Sequence, residues 1–291
     1  MSQADRAGPW IIVGGASRAG RALAARLGGE EVVPVVRSPA GLAGEHLVPD
    51  FDAGPGALPL NGAIVVNCAG TPSGSAAELD RANRAVPLAW ARAAAQAGVA
   101  RFVQVSSFSV FGPARHIDAA TPAEPASDYG GSKFAAEEAL RAAGLGDRLT
   151  ILRVPILIGG GADKLAQLLG LVRRTRLIPA APWPTPRSML SYDGLAAAIV
   201  EAAYAERGGT LAVADPRPFT PEMLEARARA AGLSARILRV PSAALALVRR
   251  AVPGIHASLF EPSLLDHAAN AAPLDGSYER IDAVIDRLLA R

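Results

Sequence analysis

Trp10-Ile11-Ile12-Val13-Gly14-Gly15-Ala16-Ser17-Arg18-Ala19-Gly20 runs four apolar residues straight into a glycine-rich turn, and a helical pattern follows through Leu27. A short apolar run of this kind reads as a strand buried on both faces. A turn between such a strand and a helix leaves an exposed helix N-terminus, where unpaired N–H groups favour a pyrophosphate. Gly14 permits the tight turn and Gly20 permits close packing of helix on sheet. Further apolar runs follow at Val32–Val36, Ala63–Val66, Arg101–Val105 and Leu149–Arg153. Helical stretches separate the later ones, notably an alanine-rich one ending near Gly98 and another over Tyr129–Ala143. Short strands alternating with helices predict an α/β fold, a doubly wound parallel sheet with helices on both faces.

Past about residue 160 the rhythm changes. Pro179–Pro186 holds four prolines and reads as an extended loop. Helical patterns then occupy Tyr192–Ala205, Pro221–Ala231, Ser242–Val252 and Tyr278–Leu289, with one apolar run at Thr210–Val213 that would return to the sheet. The expected organisation is a nucleotide-binding domain over 1–160 and a smaller, mixed substrate-binding region over 161–291.

Bulk properties narrow the function classes. Half the residues are hydrophobic and the formal net charge is +3, with only short basic clusters such as Arg173-Arg174 and Arg249-Arg250. No nucleic-acid footprint follows from that balance. The single cysteine, Cys68, excludes an internal disulfide and suits a reducing compartment. No apolar run is long enough to span a bilayer, so a cytoplasmic protein without a membrane partner is expected. The four histidines are scattered and lack metal-ligand spacing, and no metal site is expected.

Cation usage is lopsided: 28 arginines and only two lysines. One lysine, Lys133, stands four residues after Tyr129, a spacing that puts both on one helix face. An ammonium beside a phenol is expected to lower the tyrosine pKa and make it a usable proton donor and acceptor. The second strand ends Val35-Val36-Arg37 with no carboxylate, where NAD-selective sites usually place one for the ribose hydroxyls. Arg37, with Arg18, would instead fork onto a 2′-phosphate, so NADP is preferred over NAD. Asp50-Phe51 would meet the adenine, Asp50 accepting from its amino group.

These residues together resemble the extended short-chain dehydrogenase/reductase superfamily, specifically its NAD-dependent epimerase/dehydratase family, over almost the whole chain. The family's Gly-x-x-Gly-x-x-Gly turn is matched by Gly14, Ser17 and Gly20, with serine a departure in the middle position. Val66-Asn67-Cys68-Ala69-Gly70 resembles the strand end beside the cofactor, and Asn83 with its following helix resembles a further family stretch. Val105-Ser106-Ser107-Phe108-Ser109-Val110-Phe111-Gly112 resembles the block carrying the catalytic serine, which falls on Ser107. Leu152-Arg153-Val154-Pro155-Ile156 is similar to the segment near the nicotinamide.

The resemblance implies a Rossmann fold and a nicotinamide cofactor on Gly14, Ser17, Arg18, Gly20, Arg37, Asp50, Phe51, Ala69, Gly70, Asn83, Lys133, Pro155 and Ile156. It further implies catalysis by Ser107, Tyr129 and Lys133, and a homodimer through helices near 78–97 and 129–144, the first shortened by Pro87. Arg187, in a stretch resembling that of sugar-nucleotide enzymes, is expected to meet a substrate diphosphate, and Ser109 a substrate hydroxyl. Dehydrating family members carry an Asp-Glu pair after the catalytic serine; Phe108-Ser109 stands there instead, and neither residue transfers protons at neutral pH. The expected reaction is therefore reduction or epimerisation of a keto/hydroxyl centre, on a nucleotide-linked sugar. A reductase of a non-sugar carbonyl and a cofactor-binding sensor without turnover are the rival readings.

Overall fold

The computed structural model describes residues 8–267, 274 and 277–290. Its centre is a seven-stranded sheet built from β1 (Trp10–Val13), β2 (Val32–Val36), β3 (His46–Leu47), β4 (Ile64–Asn67), β5 (Arg101–Val105), β7 (Leu149–Arg153) and β11 (Gly209–Ala212). The spatial order is β11-β7-β5-β4-β1-β2-β3 and every pairing is parallel. The order reverses between β1 and β4, and the loops leaving their C-terminal ends define the crevice where such sheets take ligands.

Alternation along β1 feeds two cores. Trp10 and Ile12 pack on one face with α1 (Arg18–Arg26) and α6 (Tyr192–Tyr204), through Leu23, Leu195 and Ile199. Ile11 and Val13 pack on the other face with α3 (Val86–Ala97) and α4 (Asp128–Arg141), through Trp90, Ala94 and Leu140. Each fully buried aliphatic side chain contributes about 1.5–3 kcal/mol relative to exposure. Pro34 is tolerated inside β2 because its missing N–H falls on the outer side, where pairing with β3 begins only at Val35.

The helix before α3 is not cut short at Pro87. Helix α2 (Ala76–Asp80) continues through a π-helical turn, Arg81–Ala85, directly into α3. The wide turn absorbs a proline that offers no N–H, and it carries Asn83 inward with no exposure.

The C-terminal half contributes its own small layers. Beside the sheet lie β8 (Ile156–Ile158) with β10 (Met189–Ser191), and β9 (Leu177–Ala180) with β12 (Arg236–Arg239). They pack with α5 (Lys164–Thr175), α7 (Pro221–Ala230) and α10 (Ile281–Leu289) in a separate core around Leu169, Leu224 and Ile285. Pro179, expected in a loop, instead pairs with Leu238 in a two-stranded ribbon, an edge position that tolerates proline. Helices α8 (Ser242–Ala251) and α9 (Pro253–Phe260) follow, and β13 (Leu264–Leu265) pairs with β6 (His116–Ile117). Strand β11 closes the edge of the main sheet beside β7.

Candidate active site

The crevice opens into a cavity of about 740 Å³ lined by the first turn of α1, the ends of β4 and β5, α4, the segment 154–157 and residues of the C-terminal half. Three glycines shape its phosphate end. A Cβ at Gly14 (φ +78°) would stand 2.8 Å from the Ala69 nitrogen; one at Gly20 would stand 2.6 Å from the Gly14 oxygen. Gly15, which the sequence reading did not single out, would press Pro34 at 2.6 Å. The turn is thus as tight as a cradle for a pyrophosphate must be. Ser17 caps α1, its hydroxyl accepting from the Gly20 N–H at 3.0 Å. The departure from glycine therefore serves the helix end.

Arg18 and Arg37, expected to act together, are not brought together. The Arg18 guanidinium reaches across the cavity toward the Ala162 carbonyl at 3.4 Å, whereas Arg37 is exposed beyond the end of β2 and outside the cavity lining. The side chain that reaches the segment after Arg37 is Arg21, which donates to the carbonyls of Ala16 and Ala40. Helical spacing explains the swap: residues three apart point about 60° away from each other. Asp50 accepts from the Asp52 N–H and pairs with Arg81 at 3.0 Å, so part of its acceptor capacity is already used. Phe51 turns its ring edge-on to Trp90 in the core. That ring is structural and is not offered to an adenine.

Asn83, too, spends its amide inside the protein. It accepts from the Thr71 N–H at 3.1 Å and donates to the Thr71 carbonyl at 2.9 Å and the Ser132 hydroxyl at 3.0 Å. It therefore pins the loop that holds Ala69 and Gly70 to α4. Gly70 leaves room for this junction: a Cβ there would stand 2.7 Å from Asn83 Oδ1 and 3.2 Å from Lys133 Nζ. Both Ala69 and Gly70 line the cavity, as do Pro155 and Ile156.

Ser107, Tyr129 and Lys133 meet in the cavity wall. Ser107 caps the turn Phe108–Phe111 by accepting from the Ser109 N–H at 3.1 Å, and it lies near enough to the Tyr129 phenol to pull its pKa down in part. The turn-capping role open to a lone serine and its place beside the tyrosine thus coexist. Ser109 stands 3.2 Å from it, oxygen to oxygen. Tyr129 and Lys133 lie one turn apart on α4, whose start is fixed by the Ser127 cap on the Gly130 N–H.

The electrostatics correct one expectation. Burial pushes the Tyr129 phenol above its usual pKa, and Ser107 only partly opposes this. Lys133 is not what holds it. Its ammonium donates to the Val105 carbonyl at 3.2 Å, and burial lowers its pKa to about 8 against the pull of Cys68 and Glu137. Cys68 is driven up to about 12 by burial, despite the neighbouring Lys133, and is therefore a neutral thiol.

Glu137 was missed by the sequence reading. It has no exposure and accepts from the Ser106 hydroxyl at 2.6 Å, from Arg153 at 2.7 Å and from Arg141 at 3.2 Å. Arg153 in turn lies over the Phe111 ring at 4.8 Å. The carboxylate ties α4 to the ends of β5 and β7 beneath Lys133. Its spacing, four residues past Lys133 on the Tyr129 face, is the signal that would have found it.

Ser109, beside Ser107, lines the same cavity, as do Lys164 and Arg187. The Arg187 guanidinium donates to the carbonyls of Ala257 and Glu261, and burial lowers its pKa to about 10 while Glu261 opposes. His116 and Asp118 lie outside this lining. Among the described residues no cluster could hold a metal ion, and no helix is long and apolar enough to cross a membrane.

Comparison with known proteins fits this geometry. The fold matches MoeE5 in complex with UDP-glucose and NAD (TM-score 0.71, 18% identity, 97% of each chain covered). It also matches a UDP-glucuronic acid 4-epimerase from Bacillus cereus in complex with NAD (TM-score 0.71, 14% identity, 98% of this chain and 95% of that one). A third match is a dTDP-4-dehydrorhamnose reductase from Clostridium acetobutylicum (TM-score 0.66, 18% identity, 81% of this chain and 85% of that one). No curated protein matches the sequence. The model of the NAD dependent epimerase/dehydratase family matches residues 10–177, more than half the chain and all the cavity floor. This match places the protein in the NAD dependent epimerase/dehydratase family, as an enzyme that uses a nicotinamide cofactor.

Proposed function

We propose that the enzyme interconverts a keto and a hydroxyl group on a nucleotide-linked sugar, acting as a 4-keto reductase or 4-epimerase with NADP preferred over NAD. The observation that carries this reading is the joint presence of Ser107, Tyr129 and Lys133 in the lining of a cavity that the cationic side chains of Arg18, Lys164 and Arg187 also line. A bound nicotinamide would supply or accept the hydride. Tyr129 delivers the phenolic proton to the substrate oxygen as the new C–H bond forms, and recovers it in the reverse direction. Ser107 donates to the same oxygen and steadies its developing charge. Lys133 binds the ribose and carries positive charge below about pH 8. Gly14, Gly20 and the α1 N-terminus receive the pyrophosphate. Arg37, seconded by Arg21 through the segment it braces, receives the 2′-phosphate.

Burial keeps the Tyr129 phenol protonated at neutral pH, which suits a proton donor and so favours the reductive direction. The UDP-glucuronic acid 4-epimerase and the dTDP-4-dehydrorhamnose reductase whose folds match this one span the two reactions that this set of groups supports. The test is direct: purified enzyme with NADPH or NADH is offered nucleotide 4-keto sugars and nucleotide sugars, following cofactor oxidation and product epimers. Turnover of a nucleotide sugar, faster or tighter with NADPH, is the expected result. Turnover confined to carbonyls without a nucleotide would replace the sugar reading with the non-sugar one.

A further inference from the structure

Between β8 and α5 the chain makes a short loop over residues 159–163 whose shape is set from within. Asp163 is buried and its carboxylate accepts from the N–H groups of Gly159 at 2.7 Å and Gly160 at 3.1 Å. It also accepts from the Ala166 N–H at 2.9 Å, which caps α5. Gly160 lets this loop lie against the first residues of two other helices. A Cβ there would collide with the Tyr192 ring at the start of α6 and stand 2.8 Å from Arg18 Cδ at the start of α1. Beyond that contact the Arg18 guanidinium donates to the Ala162 carbonyl at 3.4 Å, the sole hydrogen bond of that side chain among the described residues. Arg18, Ala162, Asp163 and Tyr192 all line the cavity, and Arg18 follows Ser17, the cap of the helix end assigned to the pyrophosphate. One side chain thus joins the helix that serves the cofactor to the loop that leads into the C-terminal half.

We propose that Arg18 and the 159–163 loop form a strap over the cofactor's pyrophosphate, and that this strap sets how fast the cofactor leaves. A 3.4 Å bond on an exposed side chain is weak, so the strap opens readily when the cavity is empty. A guanidinium carries five N–H donors, and a single carbonyl leaves most of them free. An anion seated at the α1 N-terminus takes the others through charge-assisted bonds and so holds the strap shut. Retention bears on the reaction. Reduction leaves an oxidised cofactor that must be exchanged before the next turnover, whereas epimerisation returns the hydride and can keep its cofactor bound. A strap of one side chain holds the cofactor through a turnover without locking it, which serves exchange. This inference rests on the pyrophosphate site proposed above and is independent of the sugar.

The test loads the enzyme with NADPH, mixes it rapidly with excess NADP and follows the loss of bound-cofactor fluorescence. Arg18→Ala should release NADPH about tenfold faster, with association changed less than threefold. Gly160→Ala keeps the charge in place but wedges the loop off Arg18, and should speed release about fivefold. Both changes cut one strap, so the double variant should match Arg18→Ala within about twofold. Arg18→Lys should remain fast, since an ammonium lacks the fork that spans carbonyl and anion. Release within twofold of wild type in Arg18→Ala would overturn the proposal. So would slow release regained in Arg18→Lys, which makes Arg18 a mere surface charge, or fully multiplicative effects in the double variant, which uncouple the loop from the arginine. Arg18 is exposed, so its own variants read the strap even where Gly160→Ala does not fold. The cofactor reading fails separately. A wild type that binds NADH and not NADPH corrects the 2′-phosphate assignment alone, and the strap is then read with NADH, which carries the same pyrophosphate.

Discussion

The floor of the cavity and its C-terminal side use charge differently. Beneath the floor, Lys133 has the Val105 carbonyl and the Glu137 field, Glu137 has Ser106, Arg153 and Arg141, and Asn83 has Thr71 and Ser132. Toward the C-terminal half, Arg187 donates to the carbonyls of Ala257 and Glu261 with the Glu261 charge nearby, while Lys164 makes no hydrogen bond or ion pair among the described residues. A floor whose polar groups are already paired holds its geometry before anything binds, which suits groups that must meet a reacting oxygen within a fraction of an ångström. A lysine with no partner of its own is completed by what it binds.

Four measurements would break or sharpen that contrast. The largest effect belongs to Tyr129→Phe, which removes the transferred proton. Turnover should fall by about a thousandfold, with NADP affinity read by thermal shift unchanged; retained turnover would assign the proton to another group. Next comes Glu137→Gln, which leaves Arg153 facing a buried neutral amide. Unfolding in urea should show a loss of about 3 kcal/mol. The basic limb of the pH–rate profile should also move down, because Glu137 supports the charged form of Lys133. A stable variant with an unmoved profile would mean that the floor is not preorganised by this carboxylate.

A smaller effect, of the opposite sign on stability, is expected for Lys133→Met. The unfolded chain keeps the Lys133 proton to about pH 10.5 and the folded protein only to about pH 8, so in that window stability rises with pH. Below it the buried ammonium is a standing cost. The methionine variant should be inactive, more stable at pH 7 by roughly 1–3 kcal/mol, and without the rise between pH 8 and 10.5 in thermal melts. The smallest effect is Arg37→Ala, expected to weaken NADP about tenfold and NAD by less than twofold. Equal weakening of both would remove the 2′-phosphate role.

The cofactor half was largely legible in the sequence because sterics govern it. A strand, a glycine turn and a helix leave few alternatives at Gly14 and Gly20, and a Tyr–Lys spacing of four is a property of helices alone. Direction was harder to read than position. Nothing in the order of residues says that Arg18 leans toward Ala162 while Arg21 braces the segment after Arg37, since both choices depend on where other loops lie. The sign of the Tyr129 shift was misread for a related reason: a neighbouring charge is visible in a sequence, but the depth of burial that outweighs it is not. Lys164 shared the rarity of lysine with Lys133 but had no spacing to a second functional residue. It becomes notable only when the fold brings it to the same cavity as Arg187.

Strand β11 carries a consequence for anyone recombining this enzyme with its relatives. The family match ends at residue 177, yet the outer strand of the nucleotide-binding sheet is Gly209–Ala212, paired with Thr150–Arg153 across some sixty intervening residues. The chain leaves the sheet, contributes residues between 154 and 192 to the cavity lining and comes back before leaving again. A chimera cut once near residue 177 would exchange an edge strand along with part of the cavity lining. A sound exchange therefore needs two crossovers that spare α6 and β11, so that new pockets are grafted as an insertion between strands and not as a replacement tail.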